Sequence, residues 1–152
     1  MINHAEKAKE LFEQGYNCAQ AVFAAFSDVT GLDMETSLKL SSSFGGGLGR
    51  LREVCGAVSG MAMAAGMLYG NTQPNNDAAK AAHYQLIQDL AGRFRAKHET
   101  IICRELLHLD GAGNPIPDPR TKQYYETRPC AGLVYDAAQI LDEYIQGEET
   151  KK

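Results

Sequence analysis

Apolar residues recur at helical spacing through almost the whole chain, and no stretch shows the two-residue alternation of a half-buried strand. Residues 4–14 are strong helix formers, with Gly15 placed as a stop. Asn17 is a good N-cap for a second helix from Cys18 to about Val29, whose apolar side carries Val22, Phe23 and Phe26. Asp33 or Thr36 starts a third helix that runs to Phe44. Gly45-Gly46-Gly47-Leu48-Gly49-Arg50 then requires a turn or an irregular passage. Leu51 to Tyr69 is helical in character but full of small residues. Asn75-Asn76-Asp77 caps a long helix to about Lys97, with Leu86, Ile87, Leu90 and Phe94 in register. Thr100 caps a short helix, Ile101 to Leu109. Three prolines and two glycines make 111–119 a loop. A last helix begins near Pro129 and buries Leu133, Val134, Ala137, Ile140, Leu141 and Tyr144. Gly147 ends it and leaves a polar tail expected to fray. The pattern predicts an all-α fold: a compact single-domain bundle of six to seven helices over 1–147, with the tail at 148–152.

Composition narrows the function more than the fold. The chain has 152 residues, enough for one domain with a core of its own, and 44% of them are hydrophobic. A net charge of -4 with no clustering of Lys and Arg provides no field for nucleic acid. The charged start Ala5-Glu6-Lys7-Ala8-Lys9-Glu10 has no apolar core of a signal peptide, so a cytoplasmic location is expected.

The glycine-rich segment invites a phosphate-loop reading, which its residues do not support. A dinucleotide fingerprint needs G-x-G-x-x-G after a strand; Arg50 stands where the third glycine should be, and the preceding element is a helix. A Walker loop would need Gly-Lys and then Ser or Thr. Beyond it, the sixteen residues from Val54 to Tyr69 carry no charge, fewer than the roughly twenty bulky apolar residues of a membrane span. Gly56 and Gly60 lie four apart on one face, where missing side chains let another backbone or a bound group approach closely. Each costs about 1 kcal/mol of helix propensity relative to alanine, so the close approach has to matter. Met61, Met63 and Met67 read as core filling.

The candidate chemistry lies in four cysteines. Cys18, Cys55, Cys103 and Cys130 are 37, 48 and 27 positions apart, with no C-x-x-C spacing among them. All four fall near predicted helix starts: Cys18 after Asn17, Cys55 about one turn into its helix, Cys103 three residues after Thr100 and Cys130 after Pro129. A helix N-terminus favours thiolate over thiol, and thiolate is both the nucleophile of disulfide exchange and a ligand for soft metals. Arg50 and Arg52 near Cys55, and Arg104 and Arg128 beside Cys103 and Cys130, add positive charge. The histidines compete poorly. His83 and His98 sit on a helix with polar faces, His4 near a fraying terminus, and His108 at an offset that does not share a helical face with Cys103. No pair of carboxylates stands out for acid–base work.

At these residues the sequence resembles the C-GCAxxG-C-C family of small redox-active proteins. Cys55-Gly56-Ala57-Val58-Ser59-Gly60 matches the family's CGAxxG element. Gly15-Tyr16-Asn17-Cys18-Ala19-Gln20 lies upstream, Cys103-Arg104-Glu105-Leu106-Leu107 downstream, and Cys130 ahead of Leu133-Val134. The resemblance implies redox activity resting on the four cysteines, and an oxidoreductase or electron-transfer partner.

Three functions follow as expectations. The first is a metal centre of Cys18, Cys55, Cys103 and Cys130, most plausibly iron–sulfur and otherwise zinc, used for electron transfer or redox sensing, with Gly56, Ala57 and Gly60 letting backbone N–H groups approach the cofactor. The second is metal-free thiol–disulfide chemistry, with Cys55 attacking and Cys18 resolving. The third is a non-catalytic helical interaction domain with core cysteines. A glycine-lined helical face is also compatible with a homodimer.

Overall fold

The computed structural model describes residues 2–151; Met1 and Lys152, the outer ends of the predicted domain and tail, lie outside the described residues. The chain is all-α. Helix α1 (His4–Glu13) begins where the Asn3 side chain accepts the Glu6 N–H, and Gly15 ends its turn at φ +108°. Asn17 and Gln20 form a reciprocal capping box on α2 (Cys18–Ala25), satisfying two backbone N–H groups at that helix start. The helix predicted to reach Val29 breaks at Phe26, and a short α3 (Ser27–Thr30) follows, stopped by Gly31 at φ +79°. Asp33 caps α4 (Met34–Ser41), which tightens into a 3₁₀ turn at Ser42–Phe44.

The remaining helices are α5 (Gly56–Tyr69), α6 (Asp77–His98, capped by Asn76), α7 (Cys103–Leu106), α8 (Lys122–Thr127, capped by Thr121) and α9 (Cys130–Thr150). The described residues thus form nine α-helices, six of them with seven residues or more, against the six to seven expected. The extra ones are the fragments α3 and α8, while α7 is a shortened form of the helix expected over Ile101 to Leu109. Gly147 does not stop α9, which continues to Thr150; an exposed glycine near a helix end costs only about 1 kcal/mol, which the neighbouring turns absorb.

Helix α2 is the centre of the bundle, with Ala19 and every residue from Ala21 to Phe26 buried between α1, α5 and α9. The α2–α5 crossing depends on small residues. A Cβ on Gly60 would stand 2.8 Å from the Ala19 carbonyl oxygen and 3.0 Å from Val22 Cβ. Any larger residue would separate the two helices, so the propensity cost of glycine is offset by backbone contact. No helix among the described residues is long and apolar enough to cross a membrane.

The glycine-rich segment has a conformational purpose. Residues 46–50 all have positive φ, from +55° at Gly49 to +73° at Gly47, with Leu48 and Arg50 sharing the strained region. A left-handed turn costs roughly 1–2 kcal/mol for each residue with a Cβ, which explains three glycines among these five positions.

Candidate functional site

The left-handed turn delivers the chain into a short antiparallel pairing. Val54 bridges to Ile102, the Cys55 N–H donates to the Ile101 carbonyl at 2.7 Å, and the Cys103 N–H donates to the Glu53 carbonyl at 2.6 Å. Two cysteines 48 positions apart are thereby fixed on neighbouring strands of backbone. Because Leu51 belongs to the turn and Arg52 to Val54 are committed to this pairing, α5 starts later than the sequence predicts. Cys55 is its N-cap rather than a residue one turn inside. Gly47 lies beneath the pairing, where a Cβ would stand 2.7 Å from Cys103 Cβ.

Cys18 and Cys130 reach the same place as the first residues of α2 and α9. The Cys18 sulfur packs against Gly56. A Cβ there would collide with it and would also stand 2.9 Å from the Phe44 carbonyl oxygen. The two glycines of the CGAxxG element thus do different work: Gly56 makes room for the Cys18 thiol, and Gly60 admits the α2 backbone. Gly56, Ala57 and Gly60 all lie behind the residues that line the cavity beside the cysteines.

All four cysteines line one cavity of about 550 Å³, and all four are free thiols. Cys55 and Cys103 are buried, Cys18 and Cys130 half-buried. Their electrostatics run opposite to the sequence expectation for three of them. Burial pushes Cys55 well above the ordinary thiol range, although the Ala57 and Val58 amides pull the other way. Burial also raises Cys18, against the Gly46 amide, and raises Cys130 to about 11, against Arg128 and the Tyr124 hydroxyl. The magnitudes explain the sign. A helix end contributes about 0.3–1 kcal/mol, less than one pKa unit, whereas desolvation moves a fully buried group by up to about 3–5 units. Raised from an ordinary value that already lies above neutral, these three thiols favour the protonated form at pH 7.

Positive charge in the wall comes from Arg50, Arg52, Arg120 and Arg128, with Asp118 as the one acidic residue. Arg52 donates from Nη1 to Cys103 Sγ at 3.6 Å. Arg128 and Arg50 share Asp118 Oδ2, at 2.7 Å and 3.6 Å. Of the cations noted in the sequence, Arg104 turns aside to Glu53 and the Arg52 carbonyl. Arg120 and Tyr124 were not foreseen. Arg120 is built in structurally, lying 4.2 Å from the Phe12 ring centre and donating to the carbonyls of Phe12 and Tyr16. A usable signal was the four-residue step from Arg120 to Tyr124 to Arg128, which repeats a helical face just before Cys130.

Among the described residues, no group of three His, Cys, Asp or Glu side chains is gathered tightly enough to hold a single metal ion. Residues 16–144 match the family described as "Putative redox-active protein (C_GCAxxG_C_C)". No curated protein and no solved structure matches the chain.

Proposed function

This chain belongs to the C_GCAxxG_C_C family of redox-active proteins, and from that premise we propose that Cys18, Cys55, Cys103 and Cys130 form an iron–sulfur centre used for electron transfer or redox sensing. One observation carries the reading: four free thiols, from four separate helix starts, line a single cavity. The donor set suits the group, since iron–sulfur clusters are held by four cysteine thiolates. The absence of a Cβ at Gly56 lets the Cys18 sulfur sit against the start of α5, next to Cys55. Zinc, which a closed tetrahedral site of four cysteines also holds, is the alternative occupant of the same donor set.

A bound cluster would supply an electron-transfer couple, exchanged with an oxidoreductase or other electron-transfer partner. This chain's residues would set its surroundings. The amides of Gly46, Ala57 and Val58 act on the Cys18 and Cys55 sulfurs, and hydrogen bonds to ligand sulfurs are one of the ways a protein tunes a potential. Leu133, Phe12 and the proline-rich loop supply apolar wall around the thiols.

The test is anaerobic purification followed by a visible spectrum with iron and sulfide counts, on the wild type and on each Cys→Ser variant. Broad charge-transfer absorption with stoichiometric iron and sulfide is expected, lost in all four variants. Metal-free protein that also fails reconstitution overturns the reading. A second reading has its own observation, the packing of Cys18 against the residue next to Cys55. In that chemistry the two thiols lose two electrons and two protons on closing a disulfide, and a substrate disulfide takes them up as two thiols. Only the Cys18 and Cys55 variants would then lose activity.

A further inference from the structure

The cavity contains a charge that the protein does not answer. Arg52 is 4% exposed, and among the described residues its Nε has no hydrogen-bond partner and no carboxylate pairs with it. Its one side-chain hydrogen bond is the long contact from Nη1 to Cys103 Sγ. A guanidinium has five donors and keeps its charge at any physiological pH, so leaving one buried with a single sulfur contact is costly. The neighbouring charges add to the imbalance. Arg50 and Arg128 share the one carboxylate in the wall, Asp118. The backbone around Arg52 holds it there: its φ is +64°, and its carbonyl accepts the Arg104 N–H at 3.1 Å.

Much of the rest of the wall is apolar, including Phe12, Leu106, Leu107 and Leu133. A volume of about 550 Å³ lies within the range of small-molecule sites. A bare hydrated inorganic anion would gain nothing from such walls, whereas an organic acid could bury its body on them while its head meets the guanidinium.

We propose that the cysteine cavity binds a small organic anion, a carboxylate or sulfonate whose head group pairs with Arg52 and whose apolar body lies against Leu106, Leu107 and Leu133. This goes beyond the metal reading and stands on the arginines and the cavity, whichever way the thiols are used. In a redox protein it places a small organic acid, as substrate or effector, within reach of Cys103.

The test is calorimetric titration of the protein as purified, under argon, with benzoate and benzenesulfonate. Benzamide serves as the neutral control, sulfate as the inorganic one, and iron and sulfide are counted in the same sample. Saturable binding of one benzoate or benzenesulfonate per chain is expected, at least about tenfold tighter than benzamide or sulfate, the size of a charge-assisted bond. Arg52→Met should weaken it at least about tenfold, and the exposed control Arg95→Gln should leave it unchanged. If Arg52→Met does not fold, Arg128→Gln takes its place, with a smaller weakening expected because Asp118 already occupies Arg128. No saturable binding, equal binding of benzamide or of sulfate, or affinity indifferent to the arginine substitution overturns the proposal. The metal counts report separately on the iron–sulfur reading, so neither result decides the other.

Discussion

Two buried basic side chains at opposite ends of the bundle contrast sharply. His4 opens α1, 7% exposed, and is enclosed by acceptors. One ring nitrogen contacts Asp142, the other contacts Asp28 at 2.9 Å, and the ring stacks on Phe26 at 4.3 Å. Arg52, equally buried, has one sulfur and, among the described residues, no carboxylate. Helix α9 connects the two regions, running about 18 Å from Cys130 at the cavity to Asp142 at the His4 end. A protein able to satisfy a buried base with two carboxylates at one end has left another without any at the end where its four thiols collect. The difference separates a group that fastens the fold from one positioned for something that arrives.

The largest effect that would sharpen this contrast is at the satisfied end. His4→Ala removes the stack and leaves Asp28 and Asp142 without the ring they share. Breaking a buried pair costs about 3–5 kcal/mol; with Asp28 about a third exposed, about 2 kcal/mol is expected. Urea unfolding of the variant and the wild type measures it. A loss under about 0.5 kcal/mol, the ordinary surface range, would mean that His4 fastens nothing.

A smaller effect is in the pH dependence. Burial alone would lower the His4 pKa, but the Asp142 and Asp28 carboxylates outweigh it, and the folded-state value is raised. A raised folded pKa means that the charged ring's contribution is fully present below the unfolded value near 6.5. It is lost as pH rises through the folded value. Wild type minus His4→Gln stability should therefore be greatest below about pH 6.5 and should shrink above it. A gap that widens with rising pH would show that the neutral ring is the stabilising form.

The sequence was informative wherever a local rule settles the outcome. Asn17, Asp33 and Asn76 cap helices because a short side-chain oxygen reaches an amide two or three residues on, a relation contained within a few residues. Helix existence and the all-α class followed from periodicity in the same way. What required the folded chain was long-range. His4 was expected to fray because its partners are 24 and 138 positions away. The pairing that makes Cys55 a cap involves too few residues to show a period. The thiol electrostatics reversed because the helix start is a local feature, while the burial that outweighs it belongs to the whole cavity. The site was legible as four residues, and its arginine wall was legible only in part. Arg120 and Asp118 arrive from a proline-rich loop whose path no local pattern determines.

The smallest effect is the one that tests the contrast most directly. Arg52→Met replaces an unpaired buried charge with an unbranched apolar chain that can follow the same path. The loss is one long contact to sulfur; the gain is release of an uncompensated guanidinium and of its repulsion toward Arg50. Replacing a buried charge by a well-packed hydrophobe is often neutral or stabilising by about 1–4 kcal/mol. Because the thiol contact and partial solvation in the cavity already relieve some of the cost, a change within about 0.5 kcal/mol of zero, or a modest gain, is expected in urea unfolding of the ligand-free protein. A loss as large as that of His4→Ala would break the comparison, since Arg52 would then be fastening the left-handed turn to α7. Near-neutrality would mean that the arginine contributes almost nothing to folding, and that its place beside Cys103 is held at the expense of an unanswered charge for what the cavity takes in.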